Sequence, residues 1–218
     1  MPKDEVSSYT VNGDNVIREL DSFFEPRGVA VIGATSSRHK PGNDVIRNIV
    51  ANGYKGELYL VNPKGGEIEG RKAYASIGEL PEGIDMAIII LPAKLNPQAI
   101  RECAAKGIRG VVLAAGGFSE VDDEGQLLQA ELETVIRETG VRVIGPNTSG
   151  MTSTPFNFTS SFFPLGKIPR GNISYLAQTG NFATHTMRYI TTGENFGVAR
   201  VVGIGNKVDV DENDVLEY

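Results

Sequence analysis

The chain has 218 residues, of which 40% are hydrophobic, and its formal net charge is −6. This length allows one large domain, or one complete domain with part of another. The negative charge disfavours a broad nucleic-acid surface, and no apolar run approaches the ~20 residues that a membrane span needs. The polar residues 1–10 contain no signal-peptide core, and the single cysteine, Cys103, excludes an internal disulfide. We therefore expect a cytoplasmic protein without nucleic-acid or membrane partners.

After a polar leader and a short helix over residues 16–24, the first half of the chain alternates strands with helices. The predicted strands lie at 29–32, 57–62, 85–91, 110–114 and 141–144. Such alternation predicts an α/β fold, a Rossmann-like doubly wound parallel sheet with helices on both faces. The loops after these strands should meet at the carboxyl edge of the sheet, where ligands bind in this architecture.

The first strand is followed by a loop suited to an anion. Gly33 permits a tight turn, residues 34–37 are small or hydroxylic, and Asn43 or Asp44 is the expected N-cap of the next helix. Free backbone N–H groups and the helix dipole at such a junction favour phosphate. The alternative is a βα turn whose small residues serve packing alone.

The dinucleotide fingerprint G-x-G-x-x-G does not fit this loop, since its second and third glycines would fall on Thr35 and Arg38. A nicotinamide dinucleotide site also needs an acid at the end of the second strand, where this chain has Asn62 and Lys64. A lysine there suits a ribose phosphate, although it could also be a solvated turn residue.

Further along, Asn96 is the expected cap of a helix that buries Cys103, and a surface helix is predicted over residues 123–139. The glycines at 116 and 117 permit close approach of a ligand to the backbone. Residues 151–170 have no helical period and indicate a connector or a hairpin packed on a neighbour.

A second strand–loop–helix unit begins near residue 172, with Thr179 and Asn181 as candidate helix caps. It is either a second anion site or an ordinary capped helix. One more strand is predicted at 199–204, and two strands do not make a stable domain, so we expect the rest to lie elsewhere. His39 should be exposed and His185 partly buried, and no residue spacing indicates a metal site.

Six motifs, taken together and in this order, resemble the NDP-forming acyl-CoA synthetases. They are Val-Ile-Gly-Ala-Thr-Ser, Val-Asn-Pro-Lys, Ala-Gly-Gly-Phe-Ser-Glu, Ile-Gly-Pro-Asn-Thr-Ser-Gly, Gln-Thr-Gly-Asn and Gly-Ile-Gly-Asn-Lys-Val-Asp-Val-Asp. This family includes the ADP-forming acetate–CoA ligases and, more distantly, the α subunit of succinyl-CoA synthetase. The resemblance implies a leader at 1–21, a CoA-binding domain at 22–150, a connector at 151–171, and at 172–218 the beginning of a truncated, flavodoxin-like succinyl-CoA synthetase-type domain.

The resemblance also implies two binding sites. The implied CoA site comprises Gly33, Ala34, Thr35, Ser36, Ser37, Lys40, Pro41, Asn62, Lys64, Leu91, Pro92, Ala93, Gly117, Phe118 and Ser119. The implied phosphate site comprises Gln178, Thr179, Gly180 and Asn181. The family usually has serine at the position of Thr179, and the retained hydroxyl leads us to expect the same role.

The implied reaction interconverts acyl-CoA, ADP and phosphate with an acid, CoA and ATP, through an acyl phosphate and a phosphohistidine. Neither His39 nor His185 matches that histidine, which the resemblance places downstream of Tyr218, so no catalytic residue is expected in this chain and the chain alone should be inactive. ADP, ATP and Mg²⁺ would bind an ATP-grasp β module, fused or separate, in an oligomer that acts on a small carboxylic acid. The alternative is a non-catalytic CoA- or nucleotide-sensing module, such as one fused to an acyltransferase.

Overall fold

The computed structural model describes residues 13–194 and 196–218, so the expectation for residues 1–12 lies outside its described part. The helices are α1 (Gly13–Phe24), α2 (Pro41–Asn52), α3 (Asn96–Ala105), α4 (Asp123–Thr139), α5 (Gly180–Thr192) and α6 (Glu212–Glu217). The strands are β1 (Gly28–Ile32), β2 (Glu57–Val61), β3 (Glu67–Ile68), β4 (Arg71–Tyr74), β5 (Met86–Ile89), β6 (Gly110–Leu113), β7 (Arg142–Ile144), β8 (Met151–Ser153), β9 (Phe158–Thr159), β10 (Arg170–Ala177) and β11 (Val198–Gly203).

The larger sheet has seven strands in the order β3-β4-β2-β1-β5-β6-β7, with β1 at its centre. Strand β1 pairs in parallel with both β2 and β5, and all five of its residues are buried. Its alternate side chains enter two separate cores: Val31 packs in the core that contains Ile46 of α2, and Ile32 packs in the core that contains Ile100 of α3. Because helices cover both faces, the predicted doubly wound α/β sheet is confirmed.

Two of the predicted helix caps are wrong. Helix α2 begins at Pro41, and its N-cap position is Lys40, whose side chain makes no capping bond. Helix α3 has Leu95 at the N-cap position, and Asn96 is its first residue. Asn43 is buried within the first turn of α2, and its side-chain amide donates hydrogen bonds to neighbouring loops. Each of the two helices has a proline at one of its first two positions. Because the φ of proline is already helical, the helix can begin there without a side-chain cap.

The smaller sheet has four strands in the order β10-β11-β8-β9. Strands β10 and β11 are parallel, whereas β8 pairs antiparallel with both β11 and β9. The expectation of a two-stranded sheet is therefore wrong, because residues 151–159, for which a connector or a hairpin was expected, form a hairpin that supplies the other two strands. Strands of three and two residues are too short to show a hydrophobic period.

Across residues 13–194 and 196–218, no helix is long and apolar enough to cross a membrane.

Candidate functional site

The loops after β1 and β2 are joined by hydrogen bonds at the carboxyl edge of the larger sheet. The backbone N–H groups of Gly33 and Ala34 both donate to the carbonyl oxygen of Val61, at 3.1 Å each. The Asn62 side chain donates to the carbonyl oxygen of Ala34 at 2.7 Å and accepts the Lys64 N–H at 2.8 Å. Asn62 thus fixes the two predicted CoA-binding loops to each other, which places Lys64 beside the first loop.

The turn at Gly33 requires glycine. Its φ is +92°, a Cβ added there would collide with the carbonyl oxygen of Ile90, and it would lie 3.3 Å from Cδ2 of Leu91. A Cβ added at Gly42 would in turn collide with the carbonyl oxygen of Gly33. The end of β1, the start of α2 and the loop after β5 therefore meet without space for side chains between them.

The polar groups of this edge face outward. Ser36, Ser37, Lys40 and Lys64 are exposed, whereas the Ala34 side chain is buried and can offer a ligand only its backbone. Among the residues that the structure describes, neither ammonium group is within ion-pairing distance of a carboxylate. Two such cations beside hydroxyl groups and a helix start suit a ligand with several phosphate charges.

The loops after β5 and β6 also meet. Gly117 has a φ of +102°, and a Cβ built on it would lie 3.3 Å from Cβ of Ala93. Pro92 and Ser119 are exposed, and Leu91 is half-buried. The Phe118 side chain is 0% exposed and packs in the core beneath α4, which leaves only its backbone for the role predicted for this loop.

Sequence reasoning missed Glu120, which holds the glycine loop in place. One of its carboxylate oxygens accepts the N–H groups of Gly117 at 2.6 Å and Phe118 at 3.2 Å, and the other accepts the Asn206 amide at 2.6 Å. Burial alone would raise the pKa of Glu120, but these hydrogen bonds outweigh it and hold the pKa below its usual value of 4.5. The sequence did contain an indication of this role, because the side chain of an acid directly after Gly-Gly-Phe-Ser can accept hydrogen bonds from the free backbone amides of the turn.

Because its pKa is lowered on folding, Glu120 should stabilise the protein above the pKa of the unfolded chain, and this contribution should vanish as pH falls through the folded pKa. We expect Glu120→Gln to lower the free energy of unfolding by about 1 kcal/mol at pH 7, a modest value because the carboxylate is partly solvated. Urea unfolding between about pH 3 and pH 7 should show that the difference from wild type shrinks in acid. The exposed Glu82→Gln serves as control, and an E120Q loss independent of pH would contradict the assignment.

The second predicted site borders a cavity of about 400 Å³. Helix α5 begins at it, with the Thr179 hydroxyl accepting the Phe182 N–H at 3.2 Å as the predicted cap. A Cβ added at Gly180 would lie only 2.8 Å from Cβ of Ser149, so the helix start packs directly on the loop after β7. The lining residues are Ala114, Asn147, Thr148, Ser149, Phe162, Phe163, Gln178, Thr179, Gly180, Asn181, Gly205 and Asn206.

The structure therefore brings all four residues of the predicted phosphate site to one cavity. Phe162 and Phe163 were missed by sequence reasoning, because the segment that contains them has no periodic pattern. His39 is exposed, as expected, but His185 is exposed too, with Nδ1 2.8 Å from the carbonyl oxygen of Asn181, so the expectation of partial burial is wrong. Within the described ranges, no group of three or more His, Cys, Asp or Glu side chains is arranged to hold a metal.

Comparison with known proteins places both units in described families. Residues 27–154 match the CoA binding domain, and residues 170–218 match the succinyl-CoA ligase like flavodoxin domain. The chain is 40% identical to acetate–CoA ligase [ADP-forming] II of Archaeoglobus fulgidus over 94% of its own length and 31% of that protein. It is 39% identical to the α subunit of acetate–CoA ligase [ADP-forming] I of Pyrococcus furiosus over 91% of its own length and 44% of that subunit.

Solved structures agree with these matches. A dinucleotide-forming acetyl-coenzyme A synthetase 1 of Candidatus Korarchaeum cryptofilum, solved with phosphate and ADP, is 33% identical, with a TM-score of 0.86 over 91% of this chain and 42% of that one. The chain thus spans between 31% and 44% of the length of these relatives. Its motifs, its two family matches and its fold together show that the chain belongs to the NDP-forming acyl-CoA synthetase family.

Proposed function

We propose that this chain is the CoA-binding portion of an ADP-forming acid–CoA ligase. The complete enzyme would interconvert acyl-CoA, ADP and phosphate with a carboxylic acid, CoA and ATP. The relatives named as acetate–CoA ligases support this reaction class, and the match of residues 27–154 to the CoA binding domain supports CoA as the ligand of this chain.

The observation that carries the proposal is the junction of the β1 and β2 loops. It presents exposed Lys40 and Lys64, free of ion pairs within the described chain, next to the hydroxyl groups of Ser36 and Ser37. CoA carries a ribose phosphate and a pyrophosphate, which match two cationic centres on one edge. We assign the ribose phosphate to Lys64, because Asn62 fixes its backbone, and the pyrophosphate to the serine loop with Lys40.

From this edge the site continues to the cavity at the start of α5. A Cβ on Gly116 would lie 3.4 Å from Oδ1 of Asn147, and Asn147 lines the cavity, so the glycine loop adjoins it directly. We assign to the glycine loop the pantetheine arm, and to Gln178, Thr179, Gly180 and Asn181 a phosphate oxyanion. The amides at the start of a helix stabilise negative charge at such a position.

The remaining chemistry belongs to other parts of the complete enzyme. Neither histidine of this chain lines the cavity, so we assign the phosphohistidine to residues outside these 218. ADP, ATP and Mg²⁺ would bind an ATP-grasp module, fused or in a separate subunit of an oligomer. The name of the P. furiosus relative, a subunit alpha, supports a separate partner. We also propose that the complete enzyme is cytoplasmic.

The test is CoA binding by the chain, measured by calorimetry, with a matched pair of lysine variants. Lys64 follows the carboxyl end of β2 and Lys55 precedes its amino end, and both are exposed. Because a hydrogen bond to a charged group contributes about 1.5–3 kcal/mol, we expect Lys64→Ala to weaken CoA binding about tenfold or more. Lys55→Ala should leave it unchanged.

The assignment of the ribose phosphate to Lys64 predicts a second result in the same experiment. Dephospho-CoA should bind the wild-type chain about tenfold more weakly than CoA, and Lys64→Ala should lower that difference to about twofold. If NAD binds as tightly as CoA, or if both lysine variants behave alike, the proposed site is wrong.

A further inference from the structure

The residues that line the cavity at the start of α5 are of two chemical kinds. The Gln178–Asn181 loop and Asn147 are polar, whereas Phe162 and Phe163, together called the aromatic wall, are apolar. Its volume of about 400 Å³ is at the small end of the range for small-molecule sites. A ligand in this space would have both polar groups and an apolar surface available to it.

The two phenyl rings are stacked on each other, with centroids 4.8 Å apart and planes inclined by 26°. Phe162 also packs against the larger hydrophobic core, whereas Phe163 belongs to none of the described core clusters. Both side chains are half-buried. Phe163 therefore stacks on its neighbour ring, remains partly exposed and is among the residues that line the cavity.

The backbone beneath these rings is fixed by helix α2. The buried amide of Asn48 donates to the carbonyl oxygens of Ser161 at 2.8 Å and Phe163 at 2.7 Å. One turn further along, the Asn52 side chain donates to the carbonyl oxygen of Gly166 at 3.1 Å and accepts the N–H of Ile168 at 2.9 Å. The aromatic wall is thus preorganised on the same helix whose first turn adjoins the proposed CoA loop.

From this geometry we infer that Phe162 and Phe163 determine which acid the enzyme accepts, by packing on the acyl side chain of the substrate. The inference rests on the proposed function, which brings the thioester end of CoA to the cavity through the glycine loop. None of the described residues that line the cavity carries a charge. A second carboxylate would lie unpaired against the rings, so the substrate class is a monocarboxylic acid with a short apolar side chain, and dicarboxylic acids are rejected.

The experiment measures binding of free CoA and of acetyl-, isobutyryl- and succinyl-CoA to the 218-residue chain by calorimetry. Each buried methylene strengthens binding about fourfold, so isobutyryl-CoA should bind about tenfold more tightly than acetyl-CoA. Succinyl-CoA should bind more weakly than acetyl-CoA. Phe163→Ala should lower the isobutyryl advantage to about twofold, and Phe163→Leu should retain most of it.

Free CoA reports separately on the fold and on the CoA site, and its affinity should change less than about twofold in both Phe163 variants. Phe182→Ala is the matched control, because this phenylalanine lies in the first turn of α5, is 62% exposed and does not line the cavity. If CoA binds but acyl chain length has no effect, or if Phe163→Ala keeps the full isobutyryl advantage, the inference is wrong while the proposed function stands. If the wild-type chain binds no CoA, both are wrong.

Discussion

Replacing Gly33 by alanine is expected to abolish CoA binding and to lower the free energy of unfolding by about 3 kcal/mol or more. The added Cβ would collide with the carbonyl oxygen of Ile90, and the φ of +92° is itself unfavourable for any residue with a side chain. The Ile90 backbone cannot yield easily, because its N–H donates to the carbonyl oxygen of Ile32 at 2.8 Å within the centre of the sheet. Urea unfolding and CoA calorimetry measure the two effects.

Gly53→Ala separates the collision from the backbone strain. Gly53 ends α2 with a φ of +79°, and an added Cβ there would have no heavy atom within 4 Å. We therefore expect a loss of only about 1 kcal/mol and unchanged CoA affinity. Equal losses in the two variants would show that close approach at the Gly33 turn is unimportant.

Replacing Arg142 by methionine is expected to lower the free energy of unfolding by about 3 kcal/mol. The guanidinium group of this β7 residue binds Asp209 at 3.0 Å, Asp214 at 2.7 Å and Glu19 of α1 at 2.7 Å. Desolvation tends to lower the pKa of Arg142, but the surrounding carboxylates outweigh it and raise the pKa above its usual value. Methionine retains the apolar stem but leaves Asp209, which is mostly buried, without its counter-ion.

Arg101→Met is the control for this second prediction. Arg101 on α3 reaches Glu131 and Glu138 only at 3.9 and 3.8 Å, and its side chain is 42% exposed. Such a surface pair contributes about 0–1 kcal/mol, so its loss should be small. Similar losses for the two variants would show that the Arg142 cluster does not hold β7 to α1 and α6. Thermal unfolding, followed by circular dichroism, provides an independent measurement.

The helix and strand pattern of the larger sheet could be predicted because the hydrophobic pattern of each element indicates which of its residues are buried. Residues 123–139 form α4 as predicted, and the apolar run before Gly33 forms the central strand. The loops of the proposed CoA site could be located from the ends of the predicted strands and from the glycines of the turns that follow them. The caps at Asn43 and Asn96 were mispredicted because an asparagine near a helix start can also be buried inside the first turn, which only its neighbours decide.

The proposed role of Lys64 came from local sequence, but its position beside the first loop depends on Asn62, which bonds to Ala34 across 28 residues. Glu120 is a similar case, since its partner Asn206 lies 86 residues away. Contacts between residues so far apart in the sequence produce no periodic pattern from which they could be predicted.

The α/β alternation, the phosphate-suited loops and the family could be recognised from the sequence, because they depend on local turn chemistry and on the order of short motifs. The pairing of β8 and β9 into the smaller sheet became visible in the fold, as did the place of Phe162 and Phe163 at the cavity. Strands of two or three residues and an irregular segment acquire their conformation from long-range partners, which a local pattern does not record. Asn48, bonded 113 and 115 residues along the chain to Ser161 and Phe163, is one such partner.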